Sequence, residues 1–114
     1  MYEIRFTSSS EKFLKKLKEK DLILAYKKAI SSLKENPHIG QLKKGDLSGV
    51  YGIDVYYKGI NYELAYLISE ENKTVVILLA GTRENFYNQL KRLKYWKGIR
   101  FYPNALLSYI SNTG

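Results

Sequence analysis

Three features of the 114-residue chain predict an α+β fold with the element order β-α-α-β-β-β-α. The N-terminal "YEIRFT" alternates apolar and polar residues, the period of a half-buried strand. Two amphipathic stretches with helical spacing follow it between residues 8 and 35. Three strand-length segments then occupy residues 50–80, separated by turns too short for anything but antiparallel pairing. The expected architecture is a twisted, mainly antiparallel sheet with a helical hairpin packed on one face.

Each element has a local justification. In the first strand Ile4 and Phe6 share one face, and Glu3 and Arg5 the other. "SSSE" offers a capping box, Ser8 with Glu11, opening a helix to about Glu19 with Phe13, Leu14 and Leu17 inward. Asp21 is the expected cap of a second helix, whose inner face is Leu22, Tyr26, Ala29, Ile30 and Leu33. Asn36-Pro37 ends it, because proline lacks the N–H that would continue the ladder. The strands are expected at about Val50–Tyr57, Tyr62–Ile68 and Thr74–Ala80, with turns at "KGIN" and "SEENK". The last of these is continuously apolar and should be central, buried on both faces. Thr82 is the expected cap of a third helix with Phe86, Leu90 and Leu93 at i, i+4 and i+7. In the tail, "GIRFYP" reads as an extended segment and "NALLSYI" as a short helix. The expected division is a domain over 1–94 and a C-terminal extension over 95–114.

Composition narrows the function classes. Hydrophobic residues make up 45% and charged residues 26%, a globular balance. There is no cysteine, which excludes disulfides and zinc–thiolate sites. His38 is the single histidine and is expected in a loop; no carboxylate cluster is visible beside it, so neither metal nor cofactor is expected. "MYEIRFT" does not resemble a signal peptide, and the apolar run Val75–Ala80 is far shorter than the roughly 18 residues of a bilayer span. A cytoplasmic protein with no membrane partner is the expectation.

The net charge of +8 points to a polyanion or an acidic protein as partner. It is unevenly placed. Residues 1–46 hold eleven basic and six acidic side chains, residues 47–80 two and four, and residues 81–114 six and one. The middle strands are therefore the one part of the chain that is not basic.

Four passages, in this order, resemble the RelE/ParE superfamily of toxins from toxin–antitoxin pairs. They are "RFTSSSEKFLKKLKEK", "LKENPHIGQLKKGDLSGVYGIDV", "YELAYLI" and "VILLAGTRENFYNQLKR". The resemblance covers roughly residues 2–93. It implies the RelE/ParE-like fold and silencing by a cognate antitoxin, small and acidic. It also implies one of two activities: ribosome-dependent mRNA cleavage without a metal, or inhibition of DNA gyrase without chemistry. A degenerate homologue that only binds an antitoxin is the third alternative.

Metal-free RNA cleavage requires activation of a 2′-hydroxyl, stabilisation of phosphate charge and protonation of the leaving oxygen. The resemblance assigns the catalytic arginine after the last strand to Arg83, and Tyr87 is the counterpart of the family tyrosine. Strand alternation puts Asp54, Tyr56 and Glu63 on the face opposite the helical hairpin, with Arg83 at its rim. Gly52 and Asp54 stand where RelE-like toxins carry lysines, and Glu63 where they carry an arginine. On this sequence Glu63 is the candidate general base, Arg83 the phosphate clamp and Tyr87 the stacking or proton-donating group. Glu63 and Arg83 could equally form a structural ion pair, and Tyr87 could simply pack. Lys91, Arg92 and Lys94 form either a phosphate-contacting patch or a solvated helix face. The lysines of the first two helices offer a further basic surface.

Overall fold

The computed structural model describes residues 1–47, 49–94 and 101–102. Strand β1 (Glu3–Thr7) runs directly into α1 (Ser8–Lys16), and α2 (Lys20–Glu35) follows after a three-residue break. A turn of 3₁₀ helix at Pro37–Ile39 leads to the short edge strand β2 (Gln41–Leu42). Then come β3 (Tyr51–Tyr57), β4 (Ile60–Ser69), β5 (Thr74–Thr82), α3 (Phe86–Lys94) and β6 (Phe101–Tyr102). The sheet order is β2-β3-β4-β5-β1-β6. Among the described strands only the β1–β5 pairing is parallel; all the elements from α1 to β4 lie between the two in sequence.

The expected order is met, with β2 and β6 added at the edges. Strand β6 pairs with β1 through Phe6–Tyr102 and Thr7–Phe101, so the extended reading of "GIRFYP" is realised at those two residues. The "NALLSYI" helix and the proposed 95–114 extension otherwise lie outside the described residues. The β3–β4 turn is tighter than "KGIN" suggests. Lys58 and Gly59 both take positive φ (49° and 76°), the two-residue geometry that matches strand twist, and β4 therefore starts at Ile60.

The helix starts are the main local corrections. Thr7, not Ser8, caps α1: its hydroxyl accepts from Ser10 N at 3.2 Å and donates to Leu78 O at 2.7 Å. The last strand residue serves as the cap because no loop separates the two elements. Helix α1 stops at Lys16, as residues 17–19 are extended to reverse the chain. Asp21 does not cap α2. Glu19 holds that position without a side-chain bond, and Asp21 lies in the first turn, where the helix dipole favours a carboxylate. Thr82 does not cap α3, because it is held in the ladder opposite Tyr62.

Two cores flank the sheet. On one face Leu14, Leu22, Ile23, Tyr26, Ile30 and Leu33 of the hairpin pack on Ile4, Phe6, Val55, Leu64, Tyr66, Val75 and Ile77. On the other, Phe86 and Leu90 of α3 pack with Leu47, Val50, Ala65, Leu78 and Leu79. The face expected to be open is thus covered at β5 by α3, and what remains accessible is a cleft over β3 and β4. The described residues include no helix long and apolar enough to cross a membrane.

Candidate functional site

The cleft is built where β3 and β4 meet the turn after β5. In the ladder Asp54 faces Glu63 and Glu63 faces Gly81, so β4 carries the carboxylate between two strands. Arg83 follows β5 directly, its backbone N–H bonded to Asn61 O at 3.2 Å. The turn continues through Asn85, at φ 59°, a conformation asparagine tolerates better than most residues, and α3 begins at Phe86. Arg83 therefore stands on a turn fixed to β4 rather than in the first turn of a helix, and Tyr87 overlooks it from α3.

A space of about 220 Å3 is lined by Ile39, Gly40, Gln41, Lys43, Gly52, Ile53, Asp54, Glu63 and Arg83. Glu63 forms its floor and is 1% exposed. Lys43 Nζ lies 3.1 Å from Glu63 Oε2, and Arg83 Nε 3.5 Å from Glu63 Oε1. Neither oxygen has a well-directed hydrogen bond among the described residues, so Coulomb attraction to the two cations offsets the burial of the charge. The Lys43 ammonium also donates to the Tyr87 hydroxyl at 2.9 Å and sits 4.9 Å from its ring centroid.

These contacts shift the ionisation equilibria. Lys43, and after it Arg83, hold the Tyr87 phenol below its ordinary pKa, because both favour the phenolate. Burial pulls the Lys43 ammonium down, but Tyr87 and Glu63 outweigh it and the net shift is upward. The Arg83 guanidinium is raised, first by Tyr87 and then by Asp54 and Glu63. A tyrosine so held is a better proton donor than a free one, and half-exposed Arg83 can present its remaining N–H groups to an oxyanion.

The structure thus brings Arg83, Tyr87 and Glu63 together as the sequence suggested. The Arg83–Glu63 ion pair coexists with an accessible guanidinium. Glu63 lies beneath the cations and not on an open surface. Lys91 and Arg92 are exposed on α3 beyond Tyr87, while the Lys94 side chain lies outside what is described. Asp54 is exposed at the rim. Among the described residues no group of three or more His, Cys, Asp or Glu could hold a metal. His38 pairs with Glu70 at 2.6 Å, away from the cleft.

Sequence reasoning missed Lys43. Its position depends on the pairing of β2 with β3, Gln41 with Gly52 and Leu42 with Tyr51, and two residues of strand leave no periodic signal. The one available hint was Gly52 inside a strand, which marks a close approach by something else.

The comparisons agree with this architecture. A chain in the crystal structure of the toxin–antitoxin complex RelBE2 from Mycobacterium tuberculosis is 31% identical. The match covers 72% of this chain and 98% of that one, with a TM-score of 0.57. The isolated E. coli RelE toxin, 22% identical, matches over 82% of this chain and 99% of its own with a TM-score of 0.60, a likeness of fold alone. No curated protein matches the chain significantly in sequence. The model of the family described as "ParE-like toxin of type II bacterial toxin-antitoxin system" matches residues 4–91, nearly the whole β1-to-α3 framework on which Arg83 and Tyr87 are mounted. By that match and the RelBE2 likeness, the chain belongs to the ParE-like toxins of type II bacterial toxin–antitoxin systems.

Proposed function

We propose that this toxin acts in the cytoplasm and arrests translation by cutting mRNA bound to the ribosome, and that a small acidic antitoxin silences it. The observation that carries the reading is the convergence of Arg83 and Tyr87 on one cleft, with the phenol hydrogen-bonded to an ammonium. Such a pair suits phosphodiester cleavage, whereas inhibition by binding alone places no demand on a phenol's acidity.

In this reading the 2′-oxygen of a ribose attacks the adjacent phosphorus and its proton passes to solvent or a ribosomal group. The bond from phosphorus to the 5′-oxygen breaks. Tyr87 protonates that leaving oxygen, giving a 2′,3′-cyclic phosphate and a 5′-hydroxyl end. Arg83 stabilises the charge that builds on the phosphate. Glu63, buried and ion-paired, fixes the cations rather than taking the proton. Lys43 and Arg83 are balanced by Glu63 and Asp54, so attraction to the RNA backbone falls to Lys91, Arg92 and Lys94 and to the lysines of α1 and α2.

The test is induced expression in cells, alone and beside the neighbouring reading frame, followed by mapping of mRNA 5′ ends. New 5′-hydroxyl ends at consistent codon positions, absent with Arg83→Ala, are expected, and co-expression of the antitoxin should suppress them. Growth arrest with intact mRNA would transfer the function to a protein target such as gyrase. No arrest at all would leave a binding module.

A further inference from the structure

Lys43 reaches the cleft by an unusual route. It follows the edge strand β2, with its backbone N–H bonded to Val50 O at 2.7 Å, and its side chain crosses over β3 at Gly52. A Cβ on Gly52 would stand 2.7 Å from Lys43 Cε and 3.0 Å from its Nζ. The absent side chain is thus the channel through which the lysine passes. At its far end the ammonium meets two groups, the Glu63 carboxylate at 3.1 Å and the Tyr87 hydroxyl at 2.9 Å. A flexible lysine needs both to be fixed: one as counter-ion below, one as acceptor above.

We propose that Lys43 is a positioning residue for the cleavage reaction, holding the Tyr87 hydroxyl in place as proton donor, and that Gly52 is the seat that admits it. The inference rests on the cleavage reading above. It adds a residue from the loop after β2 that acts through Tyr87, and it makes Gly52 a functional glycine although its φ is not positive. Tyr87, 37% exposed, also meets the Phe86 ring edge to face at 6.1 Å and the half-exposed Arg83 guanidinium at its hydroxyl. Without Lys43 the phenol would be left to the half-exposed Arg83, a looser hold than the 2.9 Å bond from an ammonium anchored on Glu63.

Purified full-length toxin is assayed for cleavage of mRNA on programmed ribosomes, with thermal melting as the control for folding. Lys43→Met is expected to slow cleavage by about 10- to 100-fold, the size of effect that misplacing a catalytic group brings. Gly52→Ala should do the same with the fold intact, because the closest atom it meets is the movable end of a lysine, although its Cβ would also stand 3.0 Å from Glu63 Oε2 and the melting control must show that the carboxylate gives way. The double variant should be no slower than the worse single, and Lys43→Met should add nothing to Tyr87→Phe. Lys43→Arg, which keeps the charge and a donor, should recover part of the rate. NMR titration of carbon-13-labelled tyrosine supplies a readout independent of activity: the Tyr87 titration should move to higher pH in Lys43→Met and in Gly52→Ala.

Cleavage by folded Lys43→Met within about threefold of the parent would overturn the proposal, as would multiplicative effects with Tyr87→Phe. So would an unmoved Tyr87 titration. If Lys43→Met does not fold, Gly52→Ala decides by the same criteria. A parent protein that cuts no mRNA while Tyr87 shifts as expected would overturn the cleavage reading and leave the lysine–tyrosine coupling standing.

Discussion

The Lys43 ammonium lies 3.1 Å from a Glu63 carboxylate that is 1% exposed, so the best-buried acid of the sheet is held by a side chain from the loop that follows its edge strand β2. The relationship joins β2 to β4 across β3 and sets unequal consequences for removing each partner. Lys43→Met leaves a buried charge with Arg83 as its one ion-pair partner among the described residues and should cost about 3–5 kcal/mol of stability. Glu63→Gln leaves an ammonium that keeps Tyr87 as a partner and has some access to water, and should cost less than Lys43→Met. The double variant should be more stable than Lys43→Met alone. Urea unfolding of the four proteins checks this order, and a double variant less stable than Lys43→Met would break it.

On the cleavage reading, Arg83 should separate function from folding. Its side chain is half exposed and its contact with Glu63 is a long 3.5 Å, so solvent screens the pair and little stability rests on it. Arg83→Ala should therefore leave the melting temperature nearly unchanged while lowering mRNA cleavage by about 100-fold or more, the usual effect of removing one donor to a developing oxyanion. Paired melting and 5′-end mapping would show whether the two effects separate.

The wall of the cleft hangs on Tyr66. Its ring stacks on Tyr51 with centroids 5.6 Å apart. Its hydroxyl donates to Pro37 O at 2.7 Å and accepts from Gly40 N at 3.1 Å. Tyr66→Phe removes both bonds of a fully buried side chain and should cost about 1–3 kcal/mol. Gly40→Ala should also destabilise, because a Cβ there collides with the Tyr66 hydroxyl and stands 2.7 Å from Gly52 O. Hydrogen exchange at residues 37–41 should rise in both variants, and unchanged protection would show that the segment is held by other means.

Alkali should weaken the fold through the same tyrosines. Burial pushes the Tyr66 phenol up to about 12 against an ordinary 10.0, and raises Tyr26 further in the same direction. Each group keeps its proton in the folded state while the unfolded chain releases it. The stabilisation is complete below pH 10 and is lost as pH rises toward the folded value. Unfolding free energy should fall across pH 10 to 12 for the parent, and less steeply for Tyr26→Phe. An equal slope in that variant would mean that Tyr26 ionises in the folded protein.

Much of this molecule was legible because its signals are local. Alternation in "YEIRFT", the helical face running from Leu22 to Leu33 and the apolar "TVVILLA" each report on a neighbourhood of a few residues, and each became the expected element. The helix starts misled because a cap depends on where the preceding element stops. Thr7 and Thr82 both end strands, and only the ladder decides that Thr7 also caps a helix while Thr82 stays paired beside Tyr62. Arg83, Tyr87 and Glu63 could be nominated from alternation and resemblance. Their mutual geometry could not.

What the sequence determined by itself was the order of elements, the two faces of each strand and the uneven charge, since periodicity and composition are properties of the chain. What only the tertiary structure decided was the content of the cleft. Lys43 meets Glu63 and Tyr87 across sequence separations with no periodic relation, through a gap that exists because Gly52 has no side chain and because two residues of edge strand pair in one register. A buried carboxylate drew two cations over itself to offset its desolvation, turning an apparently acidic sheet face into a balanced site.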